Sequence, residues 1–449
     1  MTKPAEQLDA IVVGGGPAGS TAALVLARAG RRVRVLERAP FPRFHIGESL
    51  LPRNIGLFKE LGLADELARL PQVPKFGADF VMGHGKSEAC FTFEMGLLKG
   101  DTIAFNVERA PFDALLLDLA ARAGAEIDHG AALRSIERLA PGDVAITTSK
   151  GEQLTARWLV DASGQSTVVG KHLGTRRVLP HLKKIAYFGH FDGVYRRPGW
   201  QGGSPVIVMC DEGWFWIIPL TETKTSIGLV MDFERAKKVG LPPEEMLPWA
   251  IARTPALRDR TSQATPPGEY HVAADFSYRC EPYAGPGYFL AGDAATFVDP
   301  IFSTGVCLGM SSAARAAKAI LAIDEGRESV AAAQEGYRRF IAQSSGAFFK
   351  MIDLFYEHSF RELALGGGSP MKLHNAVLSI LAGNVFPRPR FPLRWRLKVL
   401  SLFVWLNRKF PFVRRHERFS IADSAPEPGK PQPLHVVDPF RGTAPAGAE

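Results

Sequence analysis

Early in the chain a run of apolar residues, Ala10-Ile11-Val12-Val13, is followed at once by Gly14-x-Gly16-x-x-Gly19 and a helical stretch from Ser20 to Ala29. A second apolar strand, Val33 to Leu36, ends on Glu37. Apolar runs of this length, separated by a segment with helical spacing, predict a strand, a tight glycine turn, a helix and a second strand. Further on, Phe112 to Ala123 predicts a helix leading to strands near Ala125 to Ile127 and Trp158 to Asp161, and Tyr288 to Asp293 returns to the same unit. Between these visits, Lys183 to Phe233 runs apolar or alternates, with β-branched and aromatic residues at Pro205 to Met209, Trp214 to Leu220 and Thr225 to Val230. That composition predicts a separate sheet. Beyond Gly305 the pattern is helical through Phe340 and again through Phe360, up to the break Gly366-Gly367-Gly368. The tail from Ala422, rich in Pro, Ala and Gly, lacks apolar periodicity and reads as disordered.

The elements predict an α/β chain with a discontinuous layout. Segments 1–75, 106–180 and 276–345 form one nucleotide-binding unit, 76–105 and 181–275 a β-rich unit, 346–421 a helical basic region, and 422–449 the tail. At 449 residues, 46% hydrophobic and 22% charged, the chain can bury a large core. Its four cysteines are scattered without metal-ligand spacing and no secretory signal precedes them, which points to a reducing cytoplasm and to no metal centre. No apolar run approaches the ~20 residues of a membrane span.

The formal charge of +8 is unevenly placed. Leu381 to Ser420 holds ten Lys/Arg against Glu417 alone, a local balance of +9 that leaves the rest near −1. The basic pI therefore belongs to one segment and does not mark a nucleic-acid binder. Within it, Phe391 to Asn407 interleaves Arg394, Arg396 and Lys398 with Leu393, Trp395, Leu397, Leu400, Phe403, Trp405 and Leu406, as an amphipathic helix would. That helix is read as docking over the substrate unit, or as a surface for an acidic carrier partner or an anionic membrane.

The glycine loop carries the first chemical signal. Glycines between a strand and a helix let backbone N–H groups approach a pyrophosphate at the helix N-terminus, and a carboxylate ending the next strand, here Glu37, accepts bonds from an adenosine ribose. This favours a dinucleotide, FAD rather than FMN.

The glycine loop, Gly47-Glu48-Ser49, Arg109 before Pro111-Phe112-Asp113, Asp161-Ala162-Ser163-Gly164 and Gly292-Asp293 resemble the FAD marks of the group that includes aromatic hydroxylases and geranylgeranyl reductases. Lys75 in Pro74-Lys75-Phe76-Gly77, the hexapeptide Trp214 to Pro219 and the stretch Asp299 to Gly305 resemble, more narrowly, the flavin-dependent halogenases of the phenol and pyrrole branch. The fold so implied is a Rossmann-like FAD domain of the glutathione-reductase and aromatic-hydroxylase type, with an inserted sheet domain for substrate and a helical C-terminal region.

The resemblance also implies a chemistry. Reduced FAD, supplied by a separate flavin reductase, with O2 and chloride or bromide, would give hypohalous acid, which passes through an interior tunnel to Lys75. There it meets an electron-rich aromatic, free or tethered to a carrier protein. The implied FAD contacts are Gly14, Gly16, Ala18, Gly19, Glu37, Arg109, Gly292, Asp293 and Val306, with Glu48 a further flavin neighbour. Thr304 and Gly305 are the implied halide contacts, and Trp214, Trp216 and Pro219 the partition between flavin and substrate. Tryptophan halogenases carry a glutamate just before the serine of the halide loop, where this chain has Phe302, which argues against free tryptophan as substrate. Two rival readings share the FAD marks: an aromatic monooxygenase or isoprenoid reductase, and a non-catalytic membrane-associated flavoprotein.

Overall fold

In the computed structural model, which describes residues 7–97, 100–274, 276–365, 372–386, 388–413 and 417–424, two sheets divide the chain between them. The first has the order Ala284–Gly285, Tyr288–Leu290, Gln153–Asp161, Leu8–Val13, Val33–Glu37, Glu126–His129. Its five strands from Tyr288–Leu290 to Glu126–His129 run parallel. Ala10 to Val13 are all buried, as expected for a parallel strand covered on both faces. Helices Pro17–Arg28, Arg109–Arg122 and Gly305–Asp324 pack together beside it. Leu8–Val13 is the central strand, with Val33–Glu37 on one flank and Gln153–Asp161 on the other. The chain order reverses there, at the carboxyl end from which the glycine loop departs.

The second sheet has the order Thr296–Phe297, Phe276–Cys280, Arg176–Asp192, Lys224–Asp232, Gly213–Pro219, Val206–Met209, Gly77–Met82, Glu88–Thr92. Arg176–Asp192 spans 17 residues and shifts register between Val178 and Lys183, so that its first part pairs with Phe276–Cys280 and its second with Lys224–Asp232. The strand Gly213–Pro219 shows the period-2 rule directly. Trp214 and Trp216 enter one apolar cluster together with Phe348, Ile352 and Phe355 of helix Val330–Tyr356. Phe215 and Ile217 enter another, beneath Met246, Leu247 and Leu257.

A two-stranded ribbon, Gln72–Lys75 with Ala104–Val107, lies apart from both sheets. C-terminal helices follow at His358–Leu365, Leu373–Leu381 and Phe391–Lys409. The glycine break at 366–368 and all but the first three residues of the 422–449 tail lie outside the described residues. Helix Gly305–Asp324 is the one described helix long and apolar enough to cross a membrane, with 78% of that window buried inside the fold.

Candidate active site

Each glycine of the loop is required for a different reason. Gly14 adopts φ +101°, and a Cβ there would lie 2.4 Å from the Ala162 carbonyl oxygen. At Gly19 a Cβ would lie 1.8 Å from the Gly14 carbonyl oxygen, so this glycine closes the turn against the helix. Gly16 is different: its φ is −70°, and a Cβ would meet only the Arg43 guanidinium, at 3.5 Å. Nothing of the protein fills that space, and the helix Pro17–Arg28 begins beside it without a side-chain cap. An uncapped helix N-terminus faced by an arginine suits a pyrophosphate.

Glu37 accepts from the Gly15 N–H at 2.7 Å and from the Ala39 N–H at 2.8 Å, one bond to each oxygen. A carboxylate has about four acceptor sites, so lone pairs remain for ribose hydroxyls. Ala18 and Gly292 are brought together as helix packing: a Cβ on Gly292, at φ +61°, would lie 3.2 Å from the Ala18 Cβ. Asp293 lies in the turn Gly292–Ala294 and its carbonyl accepts from the Tyr278 hydroxyl. Val306 is buried in the first turn of helix Gly305–Asp324.

Arg109 spends its guanidinium on the protein. It forms a fork with Asp113 at 2.7 and 2.9 Å, and its Nη1 donates to the carbonyls of Ile46 and Gly47. Through these bonds it fixes the segment 46–49. Glu48, on that segment, is buried with one oxygen 2.6 Å from His190 Nε2 and the other without a partner. Ser49 is bridged to Asn106, and the Leu50 N–H donates to the Phe105 carbonyl, so the segment lies along the Lys75 ribbon.

Lys75 ends its strand opposite Ala104 and is only 3% exposed. Its Nζ donates to Ser49 Oγ at 2.9 Å and to the Leu50 carbonyl at 3.0 Å, and sits 5.5 Å from the centre of the Phe93 ring. No carboxylate lies within ion-pair distance of it among the described residues. Burial without a counter-charge pulls its pKa from 10.5 down to about 7, because desolvation penalises the ammonium form. Nearby, Asn106 donates to the Gly203 carbonyl, and a Cβ on Gly203 would lie 2.0 Å from the Pro74 carbonyl oxygen. The ribbon is therefore gripped on both sides.

The stretch 299–305 forms a rigid turn. One Asp299 oxygen accepts from the Ile301 N–H at 3.1 Å and the other from the Tyr356 hydroxyl at 2.7 Å. Tyr356 in turn accepts from Trp214 Nε1–H at 3.1 Å, which links the tryptophan strand to the turn. Ser303 sits at φ +57°, in the left-handed region, and ends the turn. Thr304 follows, fully buried, with its hydroxyl lacking any partner. Gly305 then opens a 20-residue helix, exposed and with nothing within 4 Å of a notional Cβ. An orphaned hydroxyl and a helix N-terminus side by side suit a small anion.

The indoles of Trp214 and Trp216 lie 6.0 Å apart on one face, and Trp216 donates to Ser226 Oγ. Gly228 leaves room for the Trp216 ring, which a Cβ would approach to 2.2 Å. Pro219 ends the same strand opposite Thr225, out of phase with the tryptophans. Both indoles, Ile46, Ile301, Phe302 and Leu308 belong to one apolar cluster, so the clamped 46–49 segment, the tryptophan strand and the 299–305 turn meet.

The FAD binding domain family matches residues 7–340. A 1H-pyrrole-2-carbonyl peptidyl-carrier protein chlorinase of Pseudomonas fluorescens is 30% identical over 408 residues, covering 85% of this chain and 90% of the relative. The chain belongs to the flavin-dependent halogenases. The solved structure of the flavin-dependent brominase Bmp2 matches this halogenase with a TM-score of 0.78 and 28% identity, covering 90% of this chain and 100% of that one. A flavoprotein/dehydrogenase from Cytophaga hutchinsonii matches with a TM-score of 0.82 and 27% identity, covering 90% and 99%. The halogenase is thus an FAD-dependent oxidoreductase of mixed α/β fold, as the sequence motifs imply.

Several residues that shape the candidate site carry no signal in the sequence. Arg43, His190 and Tyr356 stand in no motif, and their partners, Asp113, Glu48 and Asp299, are distant in the chain. Asp113, by contrast, stands in the Arg109 stretch of the sequence, four residues along the same helix.

Proposed function

We propose that this halogenase uses reduced FAD, O2 and chloride or bromide to make hypohalous acid, which Lys75 receives and presents to an electron-rich aromatic ring. The observation that carries the reading is Lys75 itself, buried, without a carboxylate partner and with its pKa lowered to about 7. Near neutral pH such a lysine offers both an ammonium that donates to the oxidant and an amine that can take halogen with loss of water.

Glycines 14, 16 and 19, Glu37 and Arg43 would hold the adenosine and pyrophosphate part of FAD, with Arg109 fixing the loop beside it. Bound FAD in its reduced form supplies, with O2, the two-electron oxidation of halide. The Thr304 hydroxyl and the Gly305 N–H would hold that halide at the start of their helix. Trp214 and Trp216 would fill the space between flavin and substrate, so that only a small oxidant passes through the interior to Lys75. There the ring exchanges a C–H for a C–halogen bond, the proton leaves, and the oxidant's oxygen departs as water.

The substrate is a phenol or a pyrrole, since these rings push charge towards the attacked carbon without a carboxylate beside Lys75. The chlorinase relative, whose name places its pyrrole on a peptidyl carrier protein, supports a carrier-tethered substrate here. A separate flavin reductase would supply the reduced cofactor.

The test is halide-dependent product formation by mass spectrometry, with phenols and pyrroles offered free and carrier-bound and reduced FAD generated by an added reductase. Halogenated product should form with wild type and not with Lys75→Ala, while FAD binding and reoxidation persist in both. A hydroxylated product instead would transfer the enzyme to the monooxygenase reading.

A further inference from the structure

The C-terminal helix Phe391–Lys409 has two faces, and only one is explained by the fold. Leu393, Leu397, Leu400, Val404 and Asn407, spaced four and three apart, are its buried stripe. Asn407 donates to Glu362 and its oxygen caps the N–H groups of Phe412 and Val413, which fixes the rotation of the helix about its axis. The opposite stripe is Phe391, Arg394, Lys398, Leu402, Trp405 and Lys409, at the same helical spacing, and every one of these residues is exposed.

An ordinary solvated helix face mixes acids with bases. Here the segment from Lys372 to Val413 contains no Asp or Glu at all. Of the large hydrophobic residues exposed on the described surface, Phe391, Leu402, Trp405, Phe410 and Phe412 all fall on this helix and the turn after it, with Phe391 74% and Phe410 69% exposed. No ion pair engages Arg394 or Lys398 among the described residues, and Lys409 lies over the Trp405 ring at 4.8 Å.

We propose that this face is a peripheral docking surface for an anionic lipid membrane. A 19-residue helix lies about 28 Å along its axis. It presents aromatic and leucine side chains in line with long cationic ones, which suits a plane in which the rings enter the headgroup boundary and the cations reach phosphates. An acidic protein would satisfy the cations. It would leave the five exposed large apolar side chains of this helix and the turn after it needing a matching groove, and for that reason the lipid surface is the better fit. The surface stands independently of the chemistry at Lys75.

Flotation of the full-length, FAD-loaded protein with vesicles tests the proposal. Vesicles containing phosphatidylglycerol should carry the protein upward at low ionic strength and vesicles of phosphatidylcholine alone should not. Raising salt should release it, since screening shortens the reach of the cations. The triple variant Arg394→Gln, Lys398→Gln, Lys409→Gln should bind at least tenfold more weakly. Leu402→Ser with Trp405→Ser should also lose binding at low salt, although its charge is unchanged. These exposed substitutions leave the buried stripe intact, and retained FAD absorbance reports the fold. The proposal is overturned if wild type ignores anionic vesicles at low salt, if neutral vesicles capture it equally, or if only an acidic carrier protein binds this face.

Discussion

Replacing Lys75 by methionine isolates the energetic consequence of burying an amine without a counter-charge. The wild-type residue holds its proton to about 7 in the folded protein and to 10.5 when exposed. At about 1.4 kcal/mol per pKa unit, that displacement opposes folding by roughly 5 kcal/mol while the native lysine is charged. Methionine keeps most of the stem and removes the charge. It also leaves Ser49 Oγ and the Leu50 carbonyl without the donor each now has, a loss of about 1–3 kcal/mol.

The net expectation at about pH 6 is a variant more stable than wild type by about 2–4 kcal/mol. The sign of the pH dependence follows from proton uptake. Between about 7 and 10.5 the unfolded lysine carries a proton that the folded one has released, so wild-type stability rises with pH through that window. The variant lacks this rise of roughly 5 kcal/mol, so its advantage should be complete below 7, shrink across the window and reverse before 10.5, where the variant should be less stable than wild type by about 1–3 kcal/mol. Urea unfolding midpoints of both proteins, measured across this range with unfolding slopes compared, give the result. Parallel stability curves for the two proteins would refute the reasoning, since they would mean that the folded ammonium keeps its ordinary pKa.

Other perturbations separate binding from folding. Thr304→Val removes a buried hydroxyl that has no partner, so thermal stability should hold or rise while the halide concentration for half-maximal turnover rises about tenfold, equivalent to about 1.4 kcal/mol. Tyr356→Phe cuts the bonds to Asp299 and Trp214; it should cost about 1–2 kcal/mol in unfolding and raise the same halide requirement, with FAD affinity by titration unchanged. Gly16→Val and Gly19→Ala should differ in kind: the first leaves circular dichroism and unfolding near wild type but abolishes FAD binding, because its Cβ enters space that only Arg43 borders. The second should lower the unfolding midpoint itself, since its Cβ collides with the Gly14 carbonyl, and an unaltered midpoint there would contradict the packing.

What the chain's own order determined is the nucleotide unit. Its strand, glycine turn, helix and acid lie within thirty-odd residues, and each depends on local backbone geometry or on a period that neighbouring residues set. The alternation of Trp214, Phe215, Trp216 and Ile217 likewise decided which side chains share a face, and the spacing of Leu393, Leu397 and Leu400 marked part of the buried stripe of the last helix, which Val404 and Asn407 complete while Trp405, apolar in the pattern, is exposed. Other elements were hidden for equally local reasons. The polar first half of Arg176–Asp192 pairs across a register shift, and the ribbon strand Gln72–Lys75 contains a proline and no alternation.

The surroundings of the candidate site were set by contacts between distant parts of the chain. Lys75 was legible as a family mark, but its lowered pKa comes from enclosure by Ser49, Leu50 and Phe93 and from the absence of a facing carboxylate, neither of which a linear pattern records. Arg109 reads in sequence as a cofactor contact, and the fold adds its bonds to Asp113 and to the 46–47 carbonyls some sixty residues earlier, which no motif records. Tyr356 meets Asp299 across 57 residues and Trp214 across 142, and His190 meets Glu48 across 142. Desolvation and long-range hydrogen bonds belong to a three-dimensional enclosure, so only the tertiary structure could decide them.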